Sequence, residues 1–151
     1  TNLNINPDTL KALSEIENIY GVKECNLLQV ADVVNLCGSD FHIYSGNDEH
    51  IFPIMAYGGL GVISVMANII PKDTHNITQM YLNGDIEGSR KLQLKTLNLV
   101  KALFIEVNPI PIKAAMNLMG FNVGKCRMPL VDMSEKNLAI LKEELVKYGL
   151  L

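Results

Sequence analysis

With 48% hydrophobic and 19% charged residues, the 151-residue chain has enough apolar material for one ordinary domain with a real core and too little charge for a disordered one. Its formal net charge is −3 and its cations are scattered, which argues against nucleic acid as a partner. The longest apolar stretch, Gly58 to Ile70, is interrupted by Gly, Ser and Asn and is too short to span a bilayer, so no membrane partner is expected.

Thr1-Asn2-Leu3-Asn4 carries neither an initiator Met nor a basic-then-apolar leader, and reads as the middle of a longer chain. Asn6-Pro7-Asp8 predicts a helix opening, with Asn6 as cap and an apolar stripe of Leu10, Leu13 and Ile16. Ile19 to Lys23 reads as a short buried strand. Leu27, Val30, Val33 and Val34 predict a helix ending near Cys37-Gly38, and Phe41 to Ser45 a second strand closed by Gly46-Asn47-Asp48. Ile51, Ile54 and Met55 mark a helix stopped by Gly58-Gly59, followed by a third strand over Gly61 to Val65. Strands that are apolar throughout and alternate with helices predict parallel βα units covered by helices. Beyond Pro71 the pattern is helical. Ile77, Met80 and Tyr81 form one face, with Gly84 as stop; Leu92, Leu99, Val100, Leu103 and Phe104 form a longer one. Asn108-Pro109 is expected to open a third helix ending at Met119-Gly120, and Ser134 a last one running through Leu138, Leu141 and Leu145 to Gly149. About three parallel strands make neither a closed barrel nor a doubly wound sheet of usual size, so further strands are expected upstream.

Each strand end offers something a ligand can use. Lys23 closes the first strand, where desolvation would disfavour the ammonium and free a neutral amine to attack carbonyl carbon. The bland alternative is a lysine that snorkels outward or pairs with Glu24. Gly46 ends the second strand and lets backbone approach a ligand closely, or else simply makes a tight turn. Asn47 and Asp48 cap the helix after it. Ser64 and Asn68 come after the third strand, where Ile63 offers its backbone carbonyl. Catalytic groups of (β/α)8 barrels sit at carboxyl ends of strands, so three such ends in succession fit one mouth. Gly58-Gly59-Leu60-Gly61 precedes a strand and reads as a helix stop rather than a phosphate loop. His42, His50 and His75 lack metal spacing. Cys25, Cys37 and Cys126, odd in number and unpaired in spacing, favour reduced thiols in a cytoplasm.

Taken together, several segments resemble the dihydrodipicolinate synthase family of pyruvate-dependent class I aldolases and lyases. They are Gly21-Val22-Lys23-Glu24, Tyr44-Ser45-Gly46-Asn47-Asp48, Gly58-Gly59-Leu60-Gly61-Val62-Ile63-Ser64-Val65, Asn68, Leu103 to Lys113, Gly120 and Arg127-Met128-Pro129-Leu130. They run in family order over almost the whole chain. The resemblance implies the C-terminal part of a (β/α)8 barrel, with the last three strands at 1–70 carrying the lysine and the last barrel helix and a helical region at 71–151. It implies condensation of pyruvate with aspartate semialdehyde on the diaminopimelate route to lysine. Lys23 would form a covalent imine with pyruvate, needing no cofactor and no metal. Gly46 and Ile63 would line the pyruvate pocket, with Asp48 and Asn108 in support. It also implies a homo-oligomer, tetramer or dimer, in the cytoplasm, with the N-terminal half of the barrel as an obligate partner. The family's threonine pair, proton-relaying tyrosine and an arginine fall upstream of Thr1, so this chain alone is expected to be inactive. The stretch after the lysine is shortened here to Lys23-Glu24-Cys25-Asn26. Rival readings are a sugar-acid lyase of the same superfamily and a non-catalytic half-barrel interaction module.

Overall fold

The computed structural model describes residues 3–151; the reading of Thr1-Asn2 as mid-chain sequence lies outside them. Helix α1 (Pro7–Ser14) opens as its sequence dictates. The Asn6 side chain accepts the Thr9 N–H at 2.8 Å, and Pro7 occupies the first turn, where an amide would lack a partner anyway. Of the expected stripe, Leu10 is buried and Leu13 half-buried, while Ile16 lies beyond the helix and is exposed.

Strand β1 (Gly21–Glu24) leads through a 3-10 turn at Leu27–Gln29 into α2 (Val30–Cys37), which stops at Gly38. Strand β2 (His42–Ser45), α3 (Ile51–Ala56) and β3 (Gly61–Val62) complete the alternation. The three strands form one parallel sheet in the order β1-β2-β3, with Lys23 opposite Tyr44 and Ser45 opposite Val62.

Two expectations about the strands need correction. First, β3 is two residues long instead of five. The Ile63 N–H still donates to the Ser45 carbonyl at 2.8 Å, but the Val65 and Met66 amides turn away to the Asp48 carboxylate, and the chain enters a 3-10 turn at Met66–Asn68. Second, the strands are not buried on both faces. Ile43, Ser45 and Glu24 are buried beneath the helices, whereas Lys23 and His42 on the opposite face are exposed, because no described element covers that face.

The remainder is helical: α4 (Pro71–Leu82), α5 (Ile86–Leu103), α6 (Ile110–Leu118) and α7 (Glu135–Tyr148). Ser134 caps α7, accepting the Asn137 N–H, and Gly149 ends it with φ at +85°, a conformation glycine adopts without strain. The expected opening of α6 at Asn108-Pro109 is met at Pro109, which holds the capping position, and not by an Asn108 side-chain cap. That helix begins at Ile110, and Asn108 is exposed ahead of it with no capping bond. Two apolar clusters hold the molecule together. Leu10, Val30, Val33, Phe41, Ile43 and Ile54 pack under the sheet. A larger one joins Ile51, Met55 and Met66 to Ile77, Leu99, Leu103, Leu141 and Leu145 of the helical region. No helix is long and apolar enough to cross a membrane among the described residues.

Candidate active site

The carboxyl ends of β1 and β2 are clasped together. The Gly46 N–H donates to the Glu24 carbonyl at 2.7 Å, and the Asn47 side-chain amide donates to the Cys25 carbonyl at 3.1 Å. The clasp is tight enough to require glycine. A Cβ on Gly46 would stand 2.2 Å from Cys25 Sγ and 3.2 Å from both the Glu24 carbonyl oxygen and Lys23 Cε. Gly46 is therefore not a turn residue alone: its missing side chain is space that the end of β1, Lys23 included, occupies.

Side chains alternate along a strand, so Lys23 and Glu24 face opposite sides. Glu24 is buried, accepting the Asn26 N–H at 2.7 Å through one oxygen and the Gln29 side-chain amide at 2.6 Å through the other. It thereby fixes the short loop after Lys23 and is not that lysine's ion-pair partner. Lys23 projects into an open trough of about 350 Å³ shared with Gly21, His42, Tyr44 and Ile63. Here the expectation of a desolvated lysine fails for the chain as described: Lys23 is exposed, because the trough has a floor and no cover. Among the described residues it forms no salt bridge.

Asp48 begins the 3-10 turn Asp48–His50 after β2. It is 1% exposed, and its Oδ2 accepts the Val65 N–H at 3.0 Å and the Met66 N–H at 2.8 Å. Oδ1 is buried with no hydrogen-bond partner among the described residues. Burial pushes the Asp48 carboxyl above the ordinary carboxylate range; the nearby Ser64 hydroxyl, the Met66 and Val65 amides and the Lys23 charge pull the other way. Gln93 of α5 braces the turn from beneath: its amide donates to the Asp48 carbonyl at 3.0 Å, and its oxygen accepts the Phe52 N–H at 3.2 Å.

The structure thus brings Lys23 and Ile63 to one trough, with Gly46 beside the Lys23 side chain; Asp48 lines a neighbouring cavity with Asn47, Val100 and Phe104 and reaches the strand end after Ile63 through the Val65 and Met66 amides. Asn108 joins them through no described hydrogen bond and does not line the trough. Sequence reasoning missed Glu24, Gln29 and Gln93 as supports. Strand alternation would have placed Glu24 on the face opposite Lys23 and marked it as a buried carboxylate, but nothing local marked its partner Gln29 or the long-range contact of Gln93. No three His, Cys, Asp or Glu side chains among the described residues are grouped so as to hold a metal ion.

The chain is similar to known proteins over its whole length. A family described as the dihydrodipicolinate synthetase family matches residues 1–147. The 4-hydroxy-tetrahydrodipicolinate synthase of Acetivibrio thermocellus is 62% identical over all of this chain and 52% of its own length. A crystal structure of dihydrodipicolinate synthase from Thermotoga maritima superposes with a TM-score of 0.94 at 42% identity, over 98% of this chain and 52% of that one. The chloride-inhibited dihydrodipicolinate synthase of Acinetobacter baumannii, complexed with pyruvate, gives a TM-score of 0.94 at 32% identity, over 100% of this chain and 53% of that one. The chain spans about half the length of the relatives it matches.

Proposed function

Because the chain belongs to the dihydrodipicolinate synthetase family, we propose that it is the part of a 4-hydroxy-tetrahydrodipicolinate synthase that carries the Schiff-base lysine, Lys23. The observation that carries this reading is the clasp itself. Lys23 Cε lies 3.2 Å from where a Gly46 Cβ would stand, at the carboxyl ends of adjacent parallel strands, and Lys23 shares its trough with Ile63.

In this reading the neutral Lys23 amine adds to the ketone carbon of pyruvate. The carbinolamine loses water to give an imine. Loss of a methyl proton gives an enamine, whose carbon attacks the aldehyde of aspartate semialdehyde, and hydrolysis returns the amine. Nothing in the described chain desolvates Lys23, so the dry surroundings this chemistry needs come from elements that cover the open face. Gly46 and the Ile63 backbone line the pyruvate pocket and Asp48 supports it. Asn108 is kept outside it. The covalent imine takes the place of a cofactor, and the whole enzyme works in the cytoplasm as a homo-oligomer, tetramer or dimer.

The strands are the last three of a (β/α)8 barrel, which makes the chain its carboxyl-terminal part. The order of elements supports this. Each barrel strand is followed by a helix that covers it, yet β3 is followed by four helices in succession and no strand, as suits the end of a barrel and a helical tail. An amino-terminal placement would interrupt the barrel with the helical stretch 71–148 before its remaining strands. Alignment of the whole coding sequence decides: about five strands upstream of Thr1 are expected, and finding them downstream of Leu151 overturns the placement.

Treating the full-length enzyme with pyruvate and borohydride should add a reduced pyruvyl group to the peptide containing Lys23, and Lys23→Ala should keep the fold while losing most turnover. An adduct on Lys113, or no adduct in an active enzyme, overturns the assignment. Turnover with a sugar-acid aldehyde in place of aspartate semialdehyde would favour the related lyases.

A further inference from the structure

Regular parallel pairing of β2 with β3 would continue past Val62 by sending the Asn47 N–H to the Ile63 carbonyl. It does not. The Asn47 N–H points to the Ser45 hydroxyl oxygen at 3.3 Å, while that hydroxyl donates to the Asn47 carbonyl at 2.7 Å. The ladder therefore opens one residue early, and the Ile63 carbonyl accepts none of the hydrogen bonds among the described residues. An unpaired carbonyl at a sheet edge has no fixed direction by itself. What fixes it is the next bond along: the Asp48 carboxylate grips the amides of Val65 and Met66, two and three residues on. The side chain that does this is almost completely buried and leaves one oxygen without a hydrogen-bond partner among the described residues. A buried, half-satisfied carboxylate is a costly way to end a strand when Ser or Asn would accept the same amides.

We propose that Asp48 is a positioning residue that sets the direction of the Ile63 carbonyl at the mouth of the trough, and through it the binding of pyruvate. The inference rests on reading Lys23 as the pyruvate-binding amine. Asp48 touches no substrate; it acts through the backbone from Ile63 to Met66. Asn keeps one oxygen able to accept both amides, whereas Ala keeps none.

The test compares Asp48→Asn and Asp48→Ala in the full-length enzyme by steady-state kinetics with pyruvate and aspartate semialdehyde. Amide exchange at Val65 and Met66 is read in parallel. Asp48→Ala should raise the pyruvate KM by about tenfold, change the semialdehyde KM by less than about threefold, and still be trapped on Lys23 at saturating pyruvate. Its Val65 and Met66 amides should exchange about tenfold faster or more. Asp48→Asn should restore the pyruvate KM to within about threefold of the unaltered enzyme. Equal losses in both variants, or a fall in kcat with pyruvate KM unchanged, overturn the proposal. Should Asp48→Ala not fold, Asp48→Asn decides alone, since a pyruvate KM raised about tenfold there is incompatible with rescue by a retained acceptor. Absence of a Lys23 adduct in the unaltered enzyme would remove the imine reading, while the exchange of Val65 and Met66 would still decide whether Asp48 holds this backbone.

Discussion

Gly46 shows what a single missing side chain does. A Cβ there would have to displace the Cys25 thiol, which stands 2.2 Å from its position, and would press on the Glu24 carbonyl and Lys23 Cε. Overpacking of this kind costs about 1–3 kcal/mol. Gly46→Ala should lower stability by about that amount, and Cys25→Gly in the same chain should recover most of it, as measured by denaturant melts. A stability loss that Cys25→Gly leaves unchanged would show that the backbone, not the thiol, sets the limit. The strand-end positions of Lys23 and Gly46 are legible in the sequence, because each sits at the end of an apolar run. The environment of Lys23 is not. Its hydration depends on what lies across the sheet, and no local pattern encodes a cover that the described chain lacks. Glu24 is no partner for Lys23, because adjacency in sequence means opposition in a strand.

Elements whose ends are set by neighbouring residues are legible in the sequence, and those set at a distance are not. Asn6, Pro7, Gly38, Ser134 and Gly149 all mark helix ends as expected, since a cap acts within one turn. The length of β3 is fixed by Asp48, 17 and 18 residues earlier, and no periodicity within Gly61 to Val65 records that. Helix α7 has a comparable long-range anchor. Glu106 accepts hydrogen bonds from the Asn137 side chain at 2.8 Å, the Ser134 hydroxyl at 2.8 Å and the Ser134 N–H at 3.1 Å, and these bonds, in that order, hold its carboxyl below the ordinary carboxylate range. A carboxyl lowered in the folded state adds stability that is fully present above its unfolded pKa and is lost as pH falls through its folded value. Amide protection over 135–138 should therefore fall on acidification below the ordinary carboxylate range, and Glu106→Gln should remove that dependence. Ser134→Ala should cost about 1 kcal/mol through the lost cap, and should also weaken the pH dependence by removing one of the Glu106 hydrogen bonds. Protection in the Gln variant that still falls with pH would assign the effect to another acid.

Among the described residues, β1 and β3 each pair on one side only, and no described element covers the face bearing Lys23, His42 and Tyr44. Open edges and an open face invite pairing with another chain. The 151-residue chain on its own should sediment as a concentration-dependent mixture larger than a monomer; a monomer at all concentrations would show that three strands suffice. The order of helices and strands is legible because alternation and caps are local, whereas the division of the core is not, since it depends on which way one short helix faces. That helix is α3. It alone among the described elements sends buried side chains into both apolar clusters, Ile54 beneath the sheet and Ile51 with Met55 into the helical region. Floor and tail are thereby geared together. A change in how α5 and α7 pack, far from the rim, would meet α3 at Ile51 and Met55, and Ile54 of the same six-residue helix packs beneath the strands that carry Lys23. Substitutions in α5 or α7 that never come near this site thus have a packed route toward it.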